Sequence, residues 1–474
     1  GNAVDAAVAA KLMACVCEPM LTGLLGAGLA TVRIGGRTEV LDCFADVPGR
    51  GAPPGLAPPM RTIEIDFGPD TQAFHVGPAS VAVPGLAVGL WALHARFGKV
   101  PFLELAQPAI AAARKGVQAS AFLTQAIALL EPIIACDRAA AALYLPGDQP
   151  LAPPHLLVQR ALGDTLEAFS REGPRFFQRG DGAQALLARL DGQSRLGARD
   201  LAEYTPEWRK PLSGPVPGGR LFVPGAPSQA GAYVLRALAH LTRDGALPAE
   251  PFSGEALRRV AAALRATEAE KAELQAGLFE DGFLAGWLAR GAGAGFTTHV
   301  SAVDAQGDAV GITSSLGETA GLLCPQTGLM LNNFLGEEDV NPRALARPAG
   351  ARLLTMMAPS LAAWDGRVLV LGTGGSSRIR SALLHGAVYS LAYGLPPHAM
   401  VRAPRAHYED GVLRYETWDR PADHAAALAG FPRRIPFEQP GLFFGGLHVA
   451  GVGPDGFFGA GDPRRSGAFG TLQG

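Results

Sequence analysis

A run of small residues, Gly291-Ala292-Gly293-Ala294-Gly295, divides this chain into two textures that any fold must accommodate. Its composition predicts a flexible linker. Ahead of it the pattern is mostly helical. Residues 2–18 are rich in Ala and Val with few polar positions, which suits a buried helix. Further helices are expected at 85–97, 101–115, 119–131, 154–171, 228–241 and 254–276, punctuated by Pro and Gly clusters. Two short runs, 29–34 and 38–44, flank Gly35-Gly36 as hairpin strands do, and 76–83 reads as a strand ending at Pro84-Gly85. Behind the linker, strands are expected at 297–303, 309–314, 328–333, 359–363 and 367–372, with Asp365-Gly366 turning the last two. A Gly-rich loop at 372–378 leads to a helix at 379–393, and a strand pair follows at 447–451 and 457–460. Helix-rich and strand-rich parts together predict α/β layers, sheets covered by helices.

With 474 residues, 48% of them apolar, the chain can bury a large core. Its 61 glycines and 38 prolines follow no collagen period, which predicts many built turns. The net charge is −2 and no basic block stands out, so nucleic acid is not an expected partner. No uncharged apolar run reaches the roughly 18 residues of a membrane span, so no membrane partner is expected either. Five cysteines (Cys15, Cys17, Cys43, Cys136 and Cys324) are too sparse for a zinc site. They are expected as small buried hydrophobes in a reducing, cytoplasmic setting. Neither a metal nor a cofactor is expected. Gly1-Asn2-Ala3 begins inside a helical pattern, which points to residues upstream.

Taken alone, the motifs are modest. Thr297-Thr298 fits strand propensity, and His299 fits a hydrogen-bonded structural histidine. No G-x-S-x-G elbow stands in a strand–turn–helix context. The loop at 372–378 has amides that suit an anion but lacks the lysine of a phosphate-binding loop.

Several separated segments together say more. They are Gly1-Asn2-Ala3-Val4-Asp5-Ala6-Ala7-Val8-Ala9, Ser80-Val81-Ala82-Val83-Pro84-Gly85 and Thr297-Thr298-His299-Val300-Ser301-Ala302-Val303-Asp304. Leu331-Asn332-Asn333, Ser377-Arg378-Ile379 and Ala460-Gly461-Asp462-Pro463-Arg464 follow in order. In these the chain resembles the γ-glutamyltransferase family of N-terminal-nucleophile hydrolases, over nearly its whole length. The resemblance implies a four-layer αββα sandwich, one compact domain made as a single precursor. It implies self-cleavage between Phe296 and Thr297 into a large part, 1–296, and a small part, 297–474, and it allows a homodimer. Thr297 then supplies both a nucleophilic hydroxyl and a free α-amine, whose ordinary pKa of about 7.7–8.0 suits a general base. Gly375 and Ser376 stand where the family's oxyanion-hole pair stands, with Gly374 and Gly375 as the alternative one residue earlier. Ser315 replaces a second threonine that hydrogen-bonds the nucleophile.

The substrate pocket departs from the family. Its carboxylate-binding arginine falls on Phe44, in Leu41-Asp42-Cys43-Phe44, and Arg50 is no obvious substitute. Its Asn falls on Gly317, its Gln on Phe334, its Ser-Ser pair on Thr355-Met356, and its amine-binding acid near Glu337. A carboxylate set against Phe44, Phe334 and Met356 loses hydration without a guanidinium to replace it. The expected substrate is therefore a small-molecule amide that is not γ-glutamyl, with water or an amine as acceptor. An amine near Glu337 is compatible with that, although Glu337 and Glu338 equally suit a solvated acidic loop. The alternatives are a glutathione hydrolase and a catalytically silent homologue that serves as a binding or scaffold protein.

Overall fold

The computed structural model describes residues 1–52, 56, 58–66, 71–243, 245, 247–271, 273, 277, 298–337, 340–341, 344–375, 377–417 and 420–472. The linker at 291–295, Phe296, Thr297, Ser376 and Glu338 lie outside them. The chain divides into two units. The first holds Gly1–Ala30, Leu41–Trp208 and Ser314–Leu353, and the second Thr31–Val40, Arg209–Thr313 and Leu354–Gly474.

In the first unit, α1 (Ala3–Cys17) starts at Asn2, whose side chain accepts the Asp5 N–H at 3.0 Å. Asp5 in turn accepts the Asn2 N–H at 2.9 Å, so two donors of the helix start are satisfied reciprocally. Val4, Val8, Leu12 and Val16 are fully buried. β1 (Ala27–Ile34) and β2 (Arg37–Cys43) form the expected hairpin, with residues in both units. Its turn needs two left-handed residues, which Gly35 and Gly36 provide at φ 55° and 80°. α2 (Leu86–Phe97) lies directly on β2, since a β-carbon at Gly89 would overlap the Cys43 side chain. α3 (Phe102–Lys115) packs on α1 and on α4 (Arg160–Glu172). Instead of a strand at 76–83 there is a hairpin, β3 (Arg61–Asp66) with β4 (Thr71–Val76). Gly77, at φ 100°, and Pro78, which has no N–H, then turn the chain into a short 3-10 helix, Pro78–Ser80. The strand expected at 328–333 is reduced to Leu329–Met330, and α4 starts later than the expected helix at 154–171.

The remaining strands begin with β5 (Glu207–Arg209), β6 (Leu212–Val216), β7 (Gly219–Val223), β8 (Thr298–Val303) and β9 (Ala309–Ser315). β10 (Ser360–Trp364) and β11 (Arg367–Gly374) follow, then β12 (Ala406–Glu409), β13 (Val412–Glu416), β14 (Arg433–Phe437), β15 (Gly446–Gly453) and β16 (Gly456–Ala460). One sheet has the order β8-β9-β1-β2-β5. The other is antiparallel throughout, in the order β16-β15-β11-β10-β7-β6. β8 packs on β11 and β15, and Ala309, Leu361 and Val370 fill the space between the sheets. α5 (Gln229–Arg243), α6 (Gly254–Glu268) and α7 (Arg378–Ala387) form a helical layer with Ala237, Leu241, Val260, Leu264 and Leu384 as its core. The period-2 alternation of β11 serves both neighbours: Val370 faces Gly311 of β9, while Leu371 faces Gly386 of α7. A small mixed sheet, β12-β13-β14, completes the unit.

Two expectations change here. Gly372, Thr373 and Gly374 belong to β11, paired with His448, Leu447 and Gly446, so the Gly-rich segment becomes a loop only from Gly375. The helix expected at 379–393 ends at Ala387 and passes into a π-helical turn, Val388–Ala392.

His299 on β8 explains two glycines. A β-carbon at Gly372 would overlap its imidazole, and one at Gly311 would stand 3.2 Å from its Cε1. Replacing Gly372 by Ala is expected to destabilise the protein by about 1–3 kcal/mol through overpacking. Gly430, where a β-carbon meets nothing within 4 Å, is the matched control. Thermal melting of Gly372→Ala and Gly430→Ala checks this: the first midpoint falls and the second does not.

Candidate active site

Within the first unit, five of the residues singled out in the sequence come together. Phe44, just after β2, and Phe334 stack with ring centroids 5.0 Å apart and planes at 56°, and both are fully buried. Aromatic pairs at this spacing attract beyond the apolar area they remove from water. Phe334 opens a short 3-10 helix, Phe334–Gly336, and half-buried Glu337 follows it. Gly317 adopts φ 70°, and a β-carbon there would overlap the Asn333 carboxamide and stand 3.2 Å from Glu337 Oε1. Ser315, at the end of β9, accepts the Gly317 N–H at 2.7 Å, which closes a tight local turn. Asn333 Oδ1 accepts the Glu318 N–H at 2.8 Å, and Asn332 bridges Leu25 and Ala82.

Sequence reasoning misses the group that fixes Phe44. Arg352 donates to the Phe44 carbonyl at 2.6 Å and to Asp46 at 2.8 Å, and its Nε stands 3.2 Å from Asp42. Tyr204 donates to the same carbonyl at 2.7 Å, and Asp42 accepts the Phe44 N–H at 3.0 Å. Arg50 stands 3.3 Å from Asp46. Both arginines therefore already face carboxylates of this chain. The buried Asp42 and Asp46 on either side of Phe44 signal that a cation must answer them. Nothing in the sequence says which one.

Within the second unit, Gly374 pairs with Gly446 at the end of β11. Gly375 follows at φ 132°, with space for a β-carbon closed by Gly445 Cα at 2.7 Å, so only glycine fits. Its carbonyl accepts the Arg378 N–H at 3.0 Å. Thr355 is held through its backbone by Pro227 and Gln229, its Oγ1 accepts the Met357 N–H at 3.1 Å, and Met356 is fully buried. On β8, Thr298 is buried, and His299 has Thr313 Oγ1 2.7 Å from Nδ1 and Ser301 Oγ 2.8 Å from Nε2.

A polar cluster lies beneath the loop after Gly375. Ser377 donates to Glu409 at 2.6 Å. Buried Arg380 donates to Glu409 at 3.1 Å and to the Ser377 carbonyl at 3.2 Å, and also to Tyr233 and Glu268. His407 stands 3.2 Å from Glu409 and 2.8 Å from Ser381 Oγ. Burial pushes the Glu409 carboxyl up, but the His407 hydrogen bond and the Arg380 charge outweigh it and hold it well below the carboxylate range. Burial pushes His407 down to about 4.

The γ-glutamyltranspeptidase family model matches residues 1–279 and 287–472, and the chain belongs to that family. It is 32% identical to the Acylase ACY 1 proenzyme of Pseudomonas sp. (strain SE83), covering 96% of this chain and 87% of the relative. It is 26% identical to the Glutathione hydrolase proenzyme of Escherichia coli (strain K12), covering 98% of this chain and 87% of the relative. Among solved structures it is similar to cephalosporin acylase from Bacillus halodurans, with a TM-score of 0.82 at 21% identity, over 100% of this chain and 92% of the other. The α/β fold is that of the N-terminal-nucleophile hydrolases, and the chain is an enzyme of the hydrolase and acyltransferase class that acts on amides. No helix among the described residues is long and apolar enough to cross a membrane.

The buried histidines generate a pH prediction. An unfolded histidine takes a proton near pH 6.5, whereas burial delays His407 to about 4 and His385 to about 3. Between these values the unfolded chain binds more protons, so stability is present above pH 6.5 and is lost as pH falls towards 4. Thermal midpoints recorded from pH 7.5 to 4.5 are expected to drop, and to drop less steeply in His407→Gln. A midpoint that does not move would contradict the neutral burial of both rings.

Proposed function

We propose that this chain is an acylase that hydrolyses an amide whose acyl group lacks the γ-glutamyl α-carboxylate, with Thr297 as its nucleophile. The observation that carries this reading is the buried Phe44–Phe334 pair, 5.0 Å between centroids. It occupies the positions where the family resemblance places an arginine and a glutamine for a carboxylate. Arg352 and Arg50, already paired with Asp42 and Asp46, leave the aromatic character of that wall unchanged. The 32% identity to a relative named an acylase supports the same reading.

The precursor cuts its own Phe296–Thr297 bond, giving parts 1–296 and 297–474. The Thr297 hydroxyl then attacks the substrate carbonyl while the freed α-amine takes its proton. The amides at Gly375 and Ser376, or at Gly374 and Gly375, donate to the oxyanion. Collapse breaks the C–N bond, the leaving amine takes the proton back, and water releases the acyl group from Thr297. The family resemblance assigns the hydroxyl beside the nucleophile to Ser315. It assigns the acyl side to Phe44, Gly317, Phe334 and Glu337 in the first unit and to Thr355 and Met356 in the second, and Glu337 suits an amine on the acyl group.

Denaturing intact mass tests the nucleophile. The wild type is expected as two species, and Thr297→Ala as one uncut, inactive chain of 49.1 kDa. An uncut, inactive wild type would sink the enzyme mechanism and favour a scaffold. Two amides sharing one leaving group, one γ-glutamyl and one without the α-carboxylate, test the substrate. The second is expected to give kcat/KM at least about tenfold higher, because a buried polar group without its partner discriminates strongly. The reverse order would favour the glutathione hydrolase activity that the Escherichia coli relative's name carries.

A further inference from the structure

We propose that Glu409 is a positioning residue for the oxyanion donors, acting through Ser377 and Arg380. The inference rests on the assignment of the amides around Gly375 to that role. After β11, the Gly375 carbonyl accepts the Arg378 N–H at 3.0 Å. Two further ties hold Ser377. Ser377 donates its hydroxyl to Glu409 Oε2 at 2.6 Å, and its carbonyl accepts from Arg380 Nε at 3.2 Å. Glu409 Oε1 accepts from Arg380 Nη2 at 3.1 Å, so one carboxylate holds both the side chain of Ser377 and the guanidinium that holds its carbonyl.

The carboxylate is itself oriented. His407 stands 3.2 Å from Glu409 Oε2, and Ser381 stands 2.8 Å from the other ring nitrogen. Arg378 also reaches the Ser377 hydroxyl, at 3.1 Å, and Tyr233 and Glu268 occupy the far side of Arg380. Among the described residues, His407, Arg378 and Arg380 each reach Ser377. Charge-assisted hydrogen bonds of this kind are shorter and stronger than neutral ones. Backbone donors stabilise a developing oxyanion only if they are already aimed when the charge appears. Tying Ser377, two residues after Gly375, at both its side chain and its carbonyl serves that demand. Loss of this tie is expected to show in the chemical step and not in binding.

The experiment uses the full chain with the best amide of the substrate comparison and measures kcat and KM for Glu409→Gln, Ser377→Ala and Ser377→Thr. Each is assayed well below its own thermal midpoint, with kcat expressed per self-cleaved, folded molecule. Glu409→Gln keeps an acceptor for Ser377 but removes the charge that Arg380 answers. It and Ser377→Ala are expected to lower kcat about 10- to 100-fold, with KM within about twofold. Ser377→Thr keeps the hydroxyl and is expected to restore most of kcat. Unchanged kcat in folded, cleaved Glu409→Gln and Ser377→Ala would overturn the proposal while leaving the acylase reading intact. Equal losses in Ser377→Thr and Ser377→Ala would overturn it too, because the hydroxyl would then not be the tie. No amide turnover by the wild type would instead overturn the acylase reading.

Discussion

A guanidinium without water must be answered by hydrogen bonds and charge from the protein, and much of the second unit is arranged to answer Arg380. Tyr233 comes from α5, Glu268 from the end of α6, and Glu409 with the Tyr408 carbonyl from β12. Removing one partner from a buried pair leaves a charge that neither water nor protein compensates, at about 3–5 kcal/mol. The cluster therefore fixes the relation of three helices to one another. A cut at Phe296–Thr297 would leave it whole yet shared between two chains, since Tyr233 and Glu268 precede the cut and Ser377, Arg380 and Glu409 follow it. A second buried network does the same near the C-terminus. Asp462 accepts from Arg405 at 2.5 Å and from the Leu447 N–H at 2.9 Å, and Arg464 pairs with Glu416 at 2.7 Å. The Gly461-Asp462-Pro463-Arg464 motif is thus a clamp on β15, the strand that pairs with β11 from Gly446 to Val452.

The first unit shows the opposite balance. There the charged groups stand behind the backbone and the apolar ones face each other. Arg352, Asp42 and Asp46 hold the main chain of Phe44 through its N–H and its carbonyl, so the ring is aimed by ionic contacts it does not itself make. Phe334 meets it from a segment whose turn Asn332 and Asn333 set with their carboxamides, bonding to main-chain groups of Leu25, Ala82 and Glu318. Gly317 at φ 70° leaves the Asn333 carboxamide the space a side chain would take. The Phe44–Phe334 contact and the bare hydrogen of Gly317 beside Asn333 thus belong to one local geometry.

Local rules made part of this legible from the sequence. Gly35-Gly36 and Asp365-Gly366 announce their hairpins because two consecutive left-handed residues restrict the choice of amino acid. The buried α1 follows from its unbroken apolar text. The strand read at 76–83 fails because an apolar run carries no register, and the Gly77-Pro78 break inside it outweighs the pattern. The reduction of 328–333 to two paired residues was not readable, because it depends on where Asn332 and Asn333 find partners hundreds of residues away. The same reason hides Arg352 and the Arg380 cluster: a buried carboxylate predicts a cation, but only the folded chain selects it. The motif segments located the candidate site because they are tied to chemistry, whereas the residues that aim them are tied only to space.

His299 shows how far the histidine nearest to Thr297 in sequence is from being available as a base. Its ring is boxed by Gly311 and Gly372, where side chains would strike it, and both nitrogens have hydroxyl partners, Thr313 and Ser301. A neutral imidazole has one lone pair in the ring plane and one N–H. With a hydroxyl at each nitrogen, the lone pair is engaged and the ring has no room to turn towards a nucleophile. A triad of the Ser-His type needs a mobile proton acceptor within reach of the hydroxyl, and this histidine instead ties β8 to β9 and braces the two sheets. With Thr297 as the proposed nucleophile, the proton of its hydroxyl would go to another group. The α-amine that cleavage would free on the same residue is within reach by covalent geometry alone, with an ordinary pKa of about 7.7–8.0. On this argument the proposed cut would also be the step that creates the base.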